Sequence, residues 1–206
     1  MYKAILFDMD GTLVDSERYY INGTYTWLNR YCSVTREQIY KIVGLNMEDT
    51  YSYLSSISGL DIKTIEKLNT DYFNKENVIN YKNYLFDDVL DSLKQLKKKY
   101  KLALCTVSDR YMLDNFLKDC DLENTFDCLL SNDDINKSKP DPEIYLKALE
   151  KLNVNKDEAI VIEDSYNGIL AGKNAGIRVY ARDAGGYNIN QEDADAIFLD
   201  LREIEL

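Results

Sequence analysis

The sequence contains no histidine among its 206 residues. This absence excludes Ser-His-Asp triads, Cys-His pairs, and the zinc sites of HExxH enzymes and Cys2His2 fingers. An enzyme of this composition would have to perform its acid–base chemistry with carboxylates, lysine, tyrosine or cysteine.

The few cysteines do not form a recognisable disulfide or metal-binding pattern. None is in CxxC spacing, and each lies in or beside an apolar run, at Cys32, Cys105, Cys120 and Cys128. This usage is typical of reduced thiols in the core of a cytosolic protein.

Long apolar runs are also missing. A membrane-spanning helix needs about 18 or more predominantly apolar residues, and the sequence has no such stretch. The first apolar segment, Ala4–Phe7, is too short and too soon followed by acidic residues for a signal peptide. We therefore expect a cytoplasmic protein with no membrane partner.

Positive charge is scarce, with 25 Lys and Arg against 36 Asp and Glu and a formal net charge of −11. That balance is the opposite of a nucleic-acid-binding surface. The one strongly basic run, residues 94–101, is interpreted as the solvated end of a helix, where lysines suit the helix dipole. A phosphate ester could bind only where a local cation and N–H donors offset the repulsion.

Short apolar runs bounded by polar residues predict buried strands, and helical patterns lie between the later ones. The strands are expected at residues 4–7, 102–107, 128–131, 159–162, 178–180 and 196–199, and the helices at 88–98, 111–118, 142–152 and 167–175. Alternating strands and helices are typical of βαβ units. The fold class is therefore predicted to be α/β, with a Rossmann-like parallel sheet at its core.

Residues 16–85 differ from the rest of the chain, because their pattern is helical throughout and predicts no strand. Helices are expected at 17–31, 36–43, 47–57 and 62–79, with stops at Gly44 and Gly59 and N-caps at Thr35 and Asp61. We predict that residues 16–85 form a helical cap domain inserted into a catalytic core of residues 1–15 and 86–206. Such a cap would lie over the carboxyl edge of the sheet, where ligands bind in open α/β folds.

The first predicted strand runs directly into Asp8-Met9-Asp10-Gly11-Thr12. Residues two apart on a strand project to the same side, so Asp8 and Asp10 should point together off the sheet edge. Two carboxylates so close repel each other unless a cation lies between them or one is protonated. A solvent-exposed acidic turn remains the alternative for this pair taken alone.

A second acidic pair, Glu163 and Asp164, ends another predicted strand. Carboxylates at the tips of two parallel strands can converge on one cation, and an all-oxygen ligand set favours Mg²⁺ over zinc. Capping of the next helix by Asp164 or Ser165 is the structural alternative, and the two roles can coexist.

Both prolines of the chain lie in the segment Lys139-Pro140-Asp141-Pro142. Pro142 fits the first position of a helix, and Pro140 stiffens the loop that presents Lys139. A lysine on a rigid loop at the sheet edge can serve as a fixed charge for a phosphate. Thr106 and Ser108, at the end of the second predicted strand, could also bind phosphate oxygens.

These four elements, in this order, resemble the motifs of the haloacid dehalogenase superfamily. They are Asp-x-Asp-Gly-Thr, the strand-end Thr/Ser, Lys-Pro-Asp-Pro and Glu-Asp-Ser-x-x-Gly-Ile. The resemblance covers essentially the whole chain. It is closest to the branch with a small helical cap, which includes β-phosphoglucomutase and many sugar-phosphate phosphatases.

The resemblance implies a role for each motif. Asp8 would be the nucleophile that forms an aspartyl-phosphate, and Asp10 the general acid and then the base. Thr106 and Lys139 would hold the phosphoryl group. Carboxylate attack divides phosphoryl transfer into two steps, and the cations stabilise the charge of the transferring group.

The resemblance also implies a Mg²⁺ cofactor. Its ligands would be Asp8, the backbone carbonyl of Asp10, and Asp164. Glu163 would be either a ligand or a neighbour of the ligands.

Several positions depart from β-phosphoglucomutase. Thr12 replaces a valine, Tyr20 replaces a histidine near the general acid, and Met47 aligns with an arginine that grips the second phosphate. Lys75 could supply charge in the cap. These differences weaken a mutase interpretation, because a mutase must bind a bisphosphate in two orientations.

The sequence therefore predicts a monomeric Mg²⁺-dependent phosphatase that acts on a small phosphorylated metabolite, such as a sugar phosphate. Substrate contacts are expected from Ser16, Tyr20, Gly44, Met47 and Ser108. The alternatives are a phosphohexose mutase, a 2-haloacid dehalogenase, which would need neither Asp10 nor the metal, and a non-catalytic binding protein.

Overall fold

The computed structural model describes residues 1–43, 45, 47–73, 78–187 and 189–204. The chain divides into two compact units. The first comprises Met1–Asp15, Tyr81–Gly185 and Ile189–Leu206, and the second comprises Ser16–Asn80 and Gly186–Asn188. Within the described ranges, no helix combines the length and the hydropathy that crossing a lipid bilayer would require.

The first unit is built on a six-stranded parallel sheet with strand order β3-β2-β1-β4-β5-β6. The strands are β1 (Ala4–Phe7), β2 (Lys101–Cys105), β3 (Cys128–Leu130), β4 (Ala159–Glu163), β5 (Arg178–Arg182) and β6 (Ala196–Phe198). In the centre of the sheet, Leu6 is in register with Ala103 of β2 and Val161 of β4.

Helices alternate with the later strands and fill the segment after β1. In the described ranges the α-helices are α1 (Ser16–Leu28), α2 (Arg36–Ile39), α3 (Met47–Ser58), α4 (Ile62–Asp71), α5 (Val89–Leu96), α6 (Arg110–Asp119), α7 (Glu143–Leu152) and α8 (Tyr166–Asn174). The predicted α/β class with a parallel sheet is confirmed.

Burial on both faces explains why the strands read as continuous apolar runs. Ala4 and Leu6 belong to a core cluster with α7 and α8, whereas Ile5 and Phe7 point to the opposite face and are equally buried. All six strands lie within two residues of their predicted bounds. The largest extension is at β5, which continues through Ala181 to Arg182 because its last residues pair with β6.

The second unit has its own apolar core, formed by Ile21, Trp27, Leu28, Val34, Ile39, Leu54 and Ile65. Regular structure in its described residues is helical, as the sequence predicted. Thr35 forms a capping box with Gln38, and Asp61 accepts a hydrogen bond from the Thr64 N–H at 3.0 Å. The helix predicted for residues 62–79 is an α-helix only to Asp71.

The structure places residues 81–85 with the sheet, whereas the sequence prediction assigned them to the cap. Tyr81 is buried with its ring 5.6 Å from that of Phe116, and its N–H bonds to Asp119 at 3.1 Å. Leu85 forms an antiparallel bridge with Val14. These contacts hold the segment to the first unit.

Candidate active site

The candidate site residues lie at the carboxyl ends of three neighbouring strands. β1 lies between β2 and β4, so Asp8, Thr106 and Glu163 leave the sheet at the same edge. Asp8 continues the ladder through its N–H, which bonds to the Ile162 carbonyl at 2.9 Å. The order of the strands thus brings together motifs that are more than 150 residues apart.

Lys139 is the central cation of this cluster. Its ammonium group donates hydrogen bonds to Asp8 Oδ1 at 2.6 Å, Glu163 Oε1 at 2.7 Å and the Cys105 carbonyl at 3.0 Å. The side chain is only 4% exposed. Burial alone would lower the pKa of Lys139, but the charges of Asp8 and Glu163 override it and raise that pKa well above its usual value.

The loop that carries Lys139 is fixed at the start of α7. The Glu143 carboxylate accepts hydrogen bonds from the backbone N–H of Asn136 at 3.1 Å and of Lys137 at 2.9 Å. Asp141 accepts from the Glu143 N–H at 3.0 Å, which satisfies a donor of the first helical turn. The lysine is therefore presented by an anchored loop, as Pro140 predicts. Pro142, predicted as the first residue of the helix, instead lies just before it, because α7 begins at Glu143.

Glu163 has both carboxylate oxygens occupied. Oε1 accepts from Lys139 and from the Tyr145 hydroxyl at 3.0 Å. Oε2 accepts from the N–H groups of Asp164 and Ser165 and from the Ser165 hydroxyl. Burial favours the neutral acid, but Lys139 and these donors hold the pKa of Glu163 below its usual range.

The pKa values of Asp8 and Asp164 shift in the opposite direction to that of Glu163. Burial raises the pKa of Asp8 well above its usual value against the opposing charge of Lys139. Burial also raises the pKa of Asp164, and the negative charges of Glu163 and Asp8 add to the effect. In the described chain, no hydrogen bond reaches the Oδ2 atom of either aspartate. These two oxygens remain available to a cation or a substrate.

The acids fit a divalent cation. One carboxylate oxygen from each of Asp8, Glu163 and Asp164 lies within 4.8 Å of the other two, and all three residues are buried. Lys139 offsets one of the three negative charges, so the cluster with all three acids ionised keeps a net charge of −2. The oxygen-only donor set suits Mg²⁺. Because the oxygens of Glu163 are already occupied, Asp8 and Asp164 are the better ligands.

Asp10 and the strand-end hydroxyls form the next part of the site. The Ser108 hydroxyl donates to Asp10 Oδ2 at 2.7 Å, and the Ser108 N–H bonds to Thr106 Oγ1 at 3.0 Å. Thr106 is buried. Its hydroxyl proton is still free to donate, because the hydroxyl is the acceptor in the contact with Ser108. The structure thus brings the predicted residues Asp10, Thr106 and Ser108 next to one another.

Five residues of this site were not identified from the sequence. Thr12 donates to Asp164 Oδ1 at 3.2 Å, and Arg182 donates to the Thr12 carbonyl at 2.8 Å. Tyr145 and Gln191 also bond to the acidic pair, and a Cβ atom on Gly168 would lie 1.7 Å from Glu163 Oε1. A signal existed for Thr12 and Gly168, which lie inside the quoted motifs. None existed for a core tyrosine or for Arg182 and Gln191.

The remaining predicted contacts lie in the second unit. Ser16 is the buried first residue of α1, and the Tyr20 ring packs 5.0 Å from Tyr19 and 5.3 Å from Phe73. Met47 begins α3 and is 55% exposed. Gly44 and Lys75 lie outside the described residues. Substrate contact by any of these residues stays a prediction.

Comparison with known proteins gives a family match over most of the chain. The model of the haloacid dehalogenase-like hydrolases matches residues 5–182. The pyrophosphatase PpaX of Bacillus mycoides is 31% identical over 184 residues, which cover 87% of this chain and 82% of that protein. A phosphorylated carbohydrates phosphatase of Thermotoga maritima is 34% identical over 189 residues, covering 86% and 84%.

Solved structures extend the similarity to nearly the full length. A crystal structure provisionally assigned as a beta-phosphoglucomutase from Thermotoga maritima has a TM-score of 0.80 and 30% identity, and covers 98% of this chain and 95% of that one. CbbY from Rhodobacter sphaeroides, crystallised with phosphate, has a TM-score of 0.71 at 24% identity, covering 98% and 96%. At that identity CbbY supports the fold alone.

Proposed function

This chain belongs to the haloacid dehalogenase-like hydrolases, and from that premise we propose that it is a Mg²⁺-dependent phosphatase of a small phosphorylated metabolite of the sugar-phosphate class. One observation carries the proposal. Asp8 is held by Lys139 through Oδ1 at 2.6 Å, while its Oδ2 accepts no hydrogen bond from the described residues. This is the arrangement of a fixed carboxylate with one oxygen free to attack phosphorus.

The first step is attack by Asp8 Oδ2 on the phosphoryl group. The P–O bond to the leaving group breaks as the aspartyl-phosphate forms, so the ester is cleaved with the electron pair on the leaving oxygen. Lys139 keeps Asp8 oriented and offsets the charge of the incoming phosphate. In a protein of net charge −11, this local cation is essential for binding an anion.

Asp10 acts as the general acid and then as the general base. It donates a proton to the leaving oxygen in the first step, and then accepts one from the water that hydrolyses the aspartyl-phosphate. The Ser108 hydroxyl, 2.7 Å from Asp10 Oδ2, holds this carboxyl in one orientation. The Thr106 hydroxyl is placed to donate to an oxygen of the phosphoryl group.

Mg²⁺ would be held by Asp8, Asp164 and the backbone carbonyl of Asp10. When bound, the ion supplies charge that stabilises the phosphoryl oxygens. Its two positive charges would also balance the ionised cluster, and would favour the anionic forms of Asp8 and Asp164, which burial disfavours.

The second unit is proposed to act as the cap that excludes water and selects the substrate. Ser16, Tyr20, Gly44 and Met47 are the proposed cap contacts. The protein is proposed to act as a monomer on a small molecule, with no nucleic-acid partner.

A mutase on the same site is the second candidate, favoured by the similarity to the provisional beta-phosphoglucomutase at TM-score 0.80. The two candidates differ in the fate of the phosphoryl group. A phosphatase passes it to water, whereas a mutase returns it to the sugar.

The test is a substrate panel with Mg²⁺ that records both free phosphate and isomerised sugar phosphate. The panel includes sugar monophosphates, nucleotides, pyrophosphate and β-glucose 1-phosphate. Phosphate release that stops on addition of EDTA and is absent in Asp8→Asn supports the phosphatase. Conversion of β-glucose 1-phosphate to glucose 6-phosphate with little free phosphate would establish the mutase instead. Unchanged Mg²⁺-dependent turnover in Asp8→Asn would exclude both.

A further inference from the structure

Asp164 is held from two sides, by Thr12 of the first motif and by Gln191, which lies outside the motifs. On its side chain, Oδ1 accepts the Thr12 hydroxyl at 3.2 Å. On its backbone, the carbonyl accepts the Gln191 side-chain amide at 2.5 Å. A carboxylate whose side chain and backbone are both fixed cannot reorient without breaking one of these bonds.

Both sides lead to the same residue, Arg182 at the end of β5. Its Nε donates to the Thr12 carbonyl at 2.8 Å, and its own carbonyl accepts the Gln191 amide at 2.7 Å. The hydrogen bonds therefore form a closed ring, which runs from Arg182 to Thr12, Asp164, Gln191 and back to Arg182. We call it the Asp164 ring. All four residues are at most 9% exposed.

Arg182 is itself fixed by the surrounding structure. Its Nη2 donates to the buried carboxylate of Asp88 at 2.8 Å, and its Nη1 donates to the Leu199 carbonyl at 3.0 Å. The guanidinium carbon lies 4.3 Å from the ring centre of Phe86 and 5.3 Å from that of Phe198. A planar, multiply bonded guanidinium of this kind keeps its position, which a lysine could not reproduce.

We propose that Arg182 and Gln191 are positioning residues that hold Asp164 in its cation-binding orientation through the Asp164 ring. The inference rests on the proposed function, in which Asp164 is a Mg²⁺ ligand. Residues that orient a metal ligand typically change metal affinity or activity by about 10- to 100-fold when they are substituted. Both residues are buried and bond to Thr12 or Asp164, so the expected effect of their substitution is on the cation site.

The direct test measures Mn²⁺ binding by the loss of its free EPR signal, which needs no turnover. Gln191→Met keeps the length of the side chain and removes both donated hydrogen bonds. It is expected to weaken Mn²⁺ binding by about tenfold or more. Excess Mg²⁺ should restore its phosphatase kcat, because the substrate-binding groups are unchanged. Binding within twofold of the unmodified protein would overturn the proposal.

A matched control separates positioning from general loss of stability. Val179→Ala also truncates a buried residue of β5, but Val179 is not part of the ring. It should lower the melting temperature and leave Mn²⁺ affinity unchanged. If Val179→Ala weakens Mn²⁺ binding as much as Gln191→Met does, the ring has no specific role.

A second variant tests whether the bonds act as one ring, and serves if Gln191→Met does not fold. Thr12→Val opens the ring at the Asp164 side chain and should weaken Mn²⁺ binding to a similar extent. In the double variant, the loss should be well below the product of the two single losses, because the ring is already open. A full product would contradict the ring.

The proposed function and this inference fail in different ways. If the unmodified protein neither binds Mn²⁺ nor releases phosphate from any substrate, the proposed function is wrong and the inference falls with it. If the unmodified protein does both and the variants bind Mn²⁺ equally well, only the inference is wrong.

Discussion

At the scale of single residues, the site is defined by how each buried charge is compensated. Glu163 is ionised because Lys139 and several donors surround it. Asp8 and Asp164 have fewer partners and raised pKa values. One lysine thus stabilises two acids, and removing it would leave both without a cation.

Lys139→Met is expected to abolish phosphate release and to destabilise the fold. Breaking a buried ion pair by removing one partner costs about 3–5 kcal/mol of unfolding free energy, because the remaining charge has no compensation. Urea unfolding and phosphate release measure the two effects. Lys137→Met, in the same loop with a 73% exposed side chain, is the control and should change neither. Turnover retained in Lys139→Met would show that Asp8 does not need this cation.

Glu143, at the periphery of the site, makes the unfolding free energy depend on pH. The Lys147 ammonium group and the backbone N–H groups of Asn136 and Lys137 lower the pKa of Glu143 to about 2. The pKa in the unfolded chain is about 4.3, so the ionised group stabilises the fold above that pH. The contribution is lost as the pH falls from about 4.3 towards 2.

Glu143→Gln should therefore lower the unfolding free energy at pH 7, and the difference from the unmodified protein should shrink as the pH falls below about 4.3. Urea unfolding between pH 7 and pH 3 measures this. Glu150→Gln, on the exposed side of the same helix, is the control. A difference that stays constant over the whole range would contradict the role of the Glu143 carboxylate.

At the scale of the elements, α8 is positioned by the acid pair that precedes it. Ser165 caps the helix by accepting from the Gly168 N–H at 3.1 Å, and its hydroxyl also donates to Glu163. Gly168 lies directly against the Glu163 carboxylate. The start of the helix and the site therefore share the same atoms.

Gly168→Ala is expected to destabilise the protein, although alanine is better than glycine by about 1 kcal/mol within a helix. The added Cβ would lie 1.7 Å from Glu163 Oε1, so α8 or the carboxylate must move. The melting temperature and the rate of phosphate release should both decrease. Asn167→Ala, at the exposed neighbouring position, should be neutral or slightly stabilising. A stabilised and fully active Gly168→Ala would refute this close packing.

Many bounds and caps of the helices and strands could be predicted from the sequence, because they depend on residues close together in the chain. A buried parallel strand such as β4 must be apolar on both faces, so its extent is visible in the residues alone. The N-caps Thr35 and Asp61 were also visible, because capping depends on residues three apart. By contrast, the true end of α4 at Asp71 was not predicted, since residues 72–79 continue the helical pattern.

The partners of the site residues were less predictable. Asp8, Lys139 and Asp164 could be named because they occur in motifs, but Gln191 bonds to Asp164 from 27 positions further along the chain. A glutamine in a polar loop has no sequence signal that distinguishes it from a solvated one. The same holds for Tyr145, whose helical spacing indicates core packing and whose hydroxyl bond to Glu163 depends on tertiary structure.

At the scale of the whole molecule, the two units have separate apolar cores. The single tryptophan, Trp27, is buried in the core of the second unit. Its fluorescence therefore reports on that unit, whereas far-UV circular dichroism reports on both. This division makes the proposed cap and core experimentally separable.

Leu54→Ala should lower the unfolding midpoint reported by Trp27 fluorescence. Truncating a fully buried leucine costs about 2–5 kcal/mol, and this residue packs in the second core. If the cap and core are separate cooperative units, the circular dichroism signal should split into two transitions, of which only the earlier follows Trp27. Transitions that remain superimposed in the variant would mean that the chain unfolds as one unit.

The central claim is that Asp8 carries the phosphoryl group. The most direct test uses Asp10→Asn with p-nitrophenyl phosphate, whose leaving group needs no general acid. We predict a burst of one equivalent of p-nitrophenol and a phosphoryl group on the peptide that contains Asp8, because hydrolysis of the intermediate lacks its base. Asp8→Asn should show neither. A phosphoryl group on another residue, or turnover in Asp8→Asn, would contradict the account.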